Sequence, residues 1–158
     1  MAIEKALIEF ETDDASEVVA AIAALHDGEW LNLEPYVAPQ DLDELRDRTP
    51  HPLVRMFMKA GAPIPLGTIM RNADTLSIGL EHPHAAKAIA HLRDNGVDTP
   101  RAWKVKQDHP RRGIVLEVVA TTAPEAIVTW ITGAGRVLGA VPVGRAWTAL
   151  VCTKGPRP

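Results

Sequence analysis

The sequence predicts an α+β fold: a ferredoxin-like β-α-β-β-α-β sandwich over about residues 74–153, extended by an N-terminal β-α-β unit and a proline-rich, partly helical middle segment. Three observations predict it. Leu76, Ile78 and Leu80 alternate with Ser77, Gly79 and Glu81, the period of a strand with one buried face. Ala85, Ala88, Ile89 and Leu92 then fall at helical spacing and form one apolar stripe. The same strand-to-helix switch returns after residue 113, with hairpin composition between the two units. Two right-handed crossovers joined by a hairpin give a four-stranded antiparallel sheet with both helices on one face.

Within that stretch, Pro83 opens the first helix, where a missing N–H costs little, and Asn95-Gly96 ends it. Trp103 and Val105 face one side of the next strand, and Lys104 and Lys106 the other. Asp108 to Gly113 has turn composition, with Gly113 able to supply a positive φ. Ile114 to Thr121 is β-branched and nearly continuously apolar, as in a central strand. Thr122 is the expected N-cap of a second helix, with Pro124 and Glu125 in its first turn. That helix is expected to run to Thr132 and stop at Gly133-Ala134-Gly135. Arg145-Ala146-Trp147 begins a last strand that ends near Cys152.

Upstream, Ala6, Ile8 and Phe10 alternate with Lys5, Leu7, Glu9 and Glu11. Val18, Ala21, Ile22 and Leu25 form a helical stripe closed by Gly28, and Trp30 to Val37 alternates again. This β-α-β unit, residues 1–37, reads either as a half-domain or as an extension of one domain covering the whole chain. Residues 38–73 read as an irregular, partly helical connector rich in proline. Asp41 to Arg48 is a charged surface helix, and Leu53, Met56 and Phe57 give a small apolar face. Trp30, Trp103 and Trp147 each stand at the start of a predicted strand, a weak internal repeat.

Composition bounds the function. A chain of 158 residues with 46% hydrophobic and 23% charged residues suits one soluble domain. A net charge of −3 gives no electrostatic reason to expect nucleic acid or an anionic membrane as partner. The Arg111-Arg112 pair reads as a solvated hairpin tip. The single Cys152 excludes an internal disulfide, and its place in a strand suits an inert buried thiol. No apolar run approaches the ~20 residues of a membrane span. The N-terminal stretch lacks the apolar core of a signal peptide, so a cytoplasmic protein is expected.

Histidine carries the candidate chemistry, because its ordinary pKa lies near neutrality. Glu81-His82-Pro83-His84 stands at a strand-to-helix junction, with His91 two turns along. Glu81, His82 and His84 are the ligand types of a zinc site, although no cofactor is expected on balance. The N–H groups at the helix start offer an anion site for a small effector. His51 and Arg55, four residues apart, could share a helix face and hold an anionic group. Asp13-Asp14 and the acidic run Asp41, Asp43, Glu44 and Asp47 read as helix-start and solvated-face carboxylates. No nucleophile elbow, phosphate-binding loop, dinucleotide fingerprint or zinc-protease motif occurs.

The function expected is a small non-catalytic module that binds a protein partner, a second copy of itself, or a small effector. A ferredoxin-like sheet leaves one face bare, and Trp103 with Val105, or Trp147 with Ala149 and Val151, would be its apolar cover in a homodimer. The alternative is a small metal- or histidine-dependent enzyme with its site between the sheet and residues 38–73.

Overall fold

The computed structural model describes residues 2–48 and 62–156. Its centre is one antiparallel sheet of seven strands: β1 (Ile3–Glu11), β2 (Trp30–Pro35), β3 (Leu66–Asn72), β4 (Thr75–Glu81), β5 (Lys104–His109), β6 (Gly113–Val119) and β7 (Ala146–Lys154). Among the described residues four helices are interspersed: α1 (Ser16–Ala23), α2 (Pro39–Arg48), α3 (Ala88–Asp94) and α4 (Pro124–Leu138). The sheet order is β1-β7-β2-β3-β4-β6-β5. The fold is therefore mixed α+β, and the N-terminal strands belong to the same sheet as the rest.

The β-α-β-β-α-β order expected over residues 74–153 is present in the chain from β4 to β7. In a ferredoxin-like sheet β7 would lie beside β4. Here β2 and β3 stand between them, and β7 lies between β1 and β2. Because β1 and β2 both run antiparallel to β7, they are parallel to each other, bridged by α1. In the same way β4 and β5 flank β6 and are bridged by α3. The edge of β4 that β7 would have occupied is taken by β3 through a tight hairpin.

Residues 66–72, read from sequence as part of the connector, are this third strand. Its core-facing positions are Gly67 and Ile69, so the apolar alternation that marks a strand is half missing. Gly67 is small because α4 crosses it: a Cβ there would stand 2.7 Å from Ile131 Cγ2.

One sheet face builds the core. Across the strands, Val151, Leu31, Ile69, Ile78 and Leu116 form one row, and Ile8, Ala149, Leu33, Gly67, Leu80 and Ile114 the next. Val18 and Ile22 of α1, Ala88 and Leu92 of α3, and Ile127, Trp130, Ile131 and Ala134 of α4 close over these rows in a single apolar cluster. Trp147, Ala149 and Val151, offered from sequence as cover for a bare face, lie in this cluster instead. The even positions of β7 face away from α1, α3 and α4, with Cys152 alone among them buried. Trp103 is buried too, edge-on to Trp130 with ring centroids 6.2 Å apart, while Val105 is exposed.

Four helix boundaries differ from expectation, one being the N-cap of α4, which is Ala123 and not Thr122. α3 begins at Ala88, and residues 82–87 are a non-helical lead-in. α1 ends at Ala23, so Gly28 shapes the turn into β2. α4 passes straight through Gly133-Ala134-Gly135 to Leu138. Gly135 is there for close approach: a Cβ would stand 2.7 Å from Cη2 of Trp147. Other features follow expectation: Asp41 to Arg48 is helical within α2, Cys152 is buried, and Gly113 has φ +82° in the β5–β6 turn. No helix among the described residues is long and apolar enough to cross a membrane. His51, Arg55, Leu53, Met56 and Phe57 lie outside the described residues.

Candidate functional site

The histidine junction is built by the end of β4. Leu80 points into the core and Glu81 away from it, so the next residue returns inward, and His82 is 1% exposed. Pro83 turns the chain, which then enters α3 at Ala88. His82 Nδ1 accepts the backbone N–H of His84 at 3.1 Å. An accepting Nδ1 leaves the neutral ring's proton on Nε2. That Nε2 is buried and has no hydrogen-bond partner.

His84 stacks on His91, the ring centroids 4.3 Å apart and the planes 18° from parallel. His82 and His84 are 6.4 Å apart at 49°. Three of the histidines singled out from sequence are therefore brought together. Burial, and next the neighbouring His84 imidazole, hold the pKa of His82 below its ordinary value, against the attraction of Asp108. Burial also lowers that of His84, with His91 adding to it and Asp108 opposing. Both causes favour the uncharged ring.

Asp108 completes the junction. From β5 its Oδ1 accepts the N–H of Ala88 at 2.8 Å, and its Oδ2 that of Ile89 at 3.2 Å. α3 has no side-chain cap from its own sequence neighbours, so a carboxylate 20 positions away serves as one. The helix-start donors expected to hold an outside anion are thus taken by the protein's own anion. Sequence reasoning passed over Asp108 as a turn residue, since nothing local links it to residue 88.

Glu81 is exposed on the opposite side of its strand from His82. Among the described residues no three His, Cys, Asp or Glu side chains are grouped so as to hold a metal ion. The stacked rings of His84 and His91 explain part of this, because parallel planes do not direct two nitrogen lone pairs at a common point.

Two concavities formed by described residues lie elsewhere, and neither is lined by a histidine. A cleft of about 570 Å³ at the ends of β1 and β7 is bordered by Glu9, Glu11, Asp14 and Glu17, with Tyr36 and Trp147. It offers carboxylate acceptors and the exposed Tyr36 ring to a cationic group. Of its carboxylates only Asp14 was singled out from sequence as part of a candidate cluster, although the period-2 pattern already placed Glu9 and Glu11 on one strand face. A smaller cleft of about 360 Å³ separates α1 from α4. Arg111 and Arg112 lie at the exposed β5–β6 turn, their backbone N–H groups both donating to Nδ1 of His109. Asp13 forms an exposed ion pair with Arg145 at 3.2 Å. Comparison of the chain with protein-family models, with curated proteins and with solved structures finds no match.

Proposed function

We propose that this chain is a non-catalytic α+β module that works as a homodimer. One observation carries the reading. β1, at the margin of the sheet, holds Ile3 and Leu7 on the face opposite α1, α3 and α4, 50% and 64% exposed, with Leu150 of β7 directly beside Leu7. Aliphatic side chains set together at a sheet margin lose little by meeting a second copy and gain by leaving water. Native mass spectrometry of the purified chain, with sedimentation across a concentration series, tests it. A dimer mass that Leu7→Asp shifts towards monomer is the expected result. A wild-type chain that stays monomeric through the series overturns the reading.

A histidine- or metal-dependent enzyme is the alternative, and the convergence of His82, His84 and His91 beside Asp108 is the observation in its favour. The same native spectrum discriminates. About one equivalent of bound zinc per chain, lost on replacing His82 and His84, would support the enzyme, and a metal-free dimer supports the module.

A further inference from the structure

The two margins of the sheet are unlike. β5, at one margin, carries Lys104 and Lys106 and breaks its ladder between Val105 and Gln107. A bulge and lysines are what natural sheets use to stop an edge from pairing. β1, at the other margin, is nine residues long and pairs with β7 without a register shift. It has no proline and no bulge, carries one lysine, and among the described residues no strand pairs with its outer edge.

The backbone bonds that continue the β1–β7 ladder tell which groups face outward. Thr12 N–H donates to Arg145 O, and Gly155 N–H donates to Ala2 O, each at 2.9 Å. In an antiparallel ladder hydrogen-bonded pairs alternate, so the even positions of β1 spend their groups on β7. The N–H and C=O groups of Ile3, Lys5, Leu7 and Glu9 therefore point to the open edge. Glu11 ends the run, its carbonyl already accepting the N–H of Asp14 at 3.0 Å.

We infer that β1 pairs antiparallel with β1 of a second copy, about a two-fold axis at Leu7, to make one continuous sheet across the dimer. This rests on the homodimer reading and names its contact. The register follows from charge. With the axis at Leu7, Lys5 of each copy stands directly opposite Glu9 of the other, and the two Leu7 side chains meet at the centre. Ile3 then faces Glu11, and no like charges are opposed. An axis at Ala6 sets Lys5 against Leu7, and an axis at Ile8 sets Leu7 against Glu9. Both set the exposed Leu7 against a charged side chain and lose the contact between the two leucines. Opposite charges and apolar pairs across strands favour a register, and like charges disfavour it.

The test is a set of full-length variants followed by sedimentation equilibrium. Lys5→Glu sets glutamate against glutamate twice and is expected to weaken the dimer about tenfold. Adding Glu9→Lys to it restores the opposite pairing and is expected to return affinity to near the wild-type value, a rescue specific to the Leu7 axis. Leu7→Pro removes an N–H that the monomer does not use, so it is expected to yield a folded monomer with unchanged circular dichroism. If Leu7→Pro does not fold, the charge-reversal pair decides alone. A dimer untouched by Lys5→Glu overturns the edge contact and leaves the homodimer reading standing. A wild-type monomer overturns both.

Discussion

The backbone N–H of Lys154 donates to Oε1 of Glu29 at 2.8 Å, while Oε2 of the same carboxylate accepts the N–H of His26 at 2.7 Å. One buried side chain thereby ties the end of β7 to the turn that precedes β2, across 125 positions of sequence. The His26 and then the Lys154 N–H, outweighing the cost of burial, hold the Glu29 pKa below its ordinary value.

Glu29→Gln keeps the shape and one acceptor but loses the charge. Hydrogen bonds to an ionised partner contribute about 1.5–3 kcal/mol, so a loss towards the lower end of that range is expected in urea denaturation. The sign with pH follows from the lowered folded-state pKa. The contribution is present above the unfolded value of about 4.3 and fades as pH falls through the folded value. Wild type and variant should therefore converge in acid, and a difference independent of pH would sink this account.

His82 works in the opposite charge sense. Its folded-state pKa is lowered, so below about 6.5 the unfolded chain takes up the proton first, and stability falls as pH drops from there towards the folded value. Protonation also ends the acceptance of the His84 N–H by Nδ1. His82→Asn, which retains an acceptor near that position, should flatten the slope of unfolding free energy against pH below about 6.5. His84 shares the lowering, so the double variant with His84→Asn should be flatter still. An unchanged slope in both would remove the junction from the acid response.

Two glycines of α4 should respond oppositely to alanine. At Gly133 a Cβ would make ordinary contact with Val97 at 3.5 Å. Replacing glycine within a helix gains up to about 1 kcal/mol, so Gly133→Ala should stabilise. At Gly135 the same gain meets the rigid Trp147 ring at 2.7 Å, an overpacking that costs about 1–3 kcal/mol. Gly135→Ala should lower the melting temperature, and Trp147→Phe should reduce that loss in a double-mutant cycle. Equal effects at the two sites would contradict the packing described.

Turn geometry gives a second opposed pair. Ala73, in the β3–β4 turn, has φ +47°, whereas Gly113, in the β5–β6 turn, has φ +82° with the Leu80 carbonyl where a Cβ would go. Ala73→Gly should stabilise by about 0.5–1 kcal/mol, the relief of left-handed strain less the added freedom of the unfolded chain. Gly113→Ala should cost more than about 2 kcal/mol, since strain and a backbone collision combine. Thermal unfolding of the two single variants checks both signs.

Much of this protein is set by neighbours in sequence. The alternation of Ile8 and Phe10, of Leu76, Ile78 and Leu80, and the helical stripe of Val18 and Ile22 were legible because a strand or a helix repeats its burial every few residues. The positive φ of Gly113 and the burial of Cys152 came from the same local logic. What only the tertiary structure decided has partners far away in the chain. β3 was hidden because Gly67 gives its side-chain space to Ile131. The stop read at Gly133-Ala134-Gly135 was instead a place for Trp147 to approach. The order of the strands turned on β3 claiming the edge of β4, a competition between pairings that no single strand's periodicity records. At the candidate site the sequence supplied His82, His84 and His91. The carboxylate that caps their helix, and the burial that leaves His82 Nε2 without a partner, came from folding β5 against α3. Local periodicity determines which residues turn inward, and long-range packing determines what they meet there.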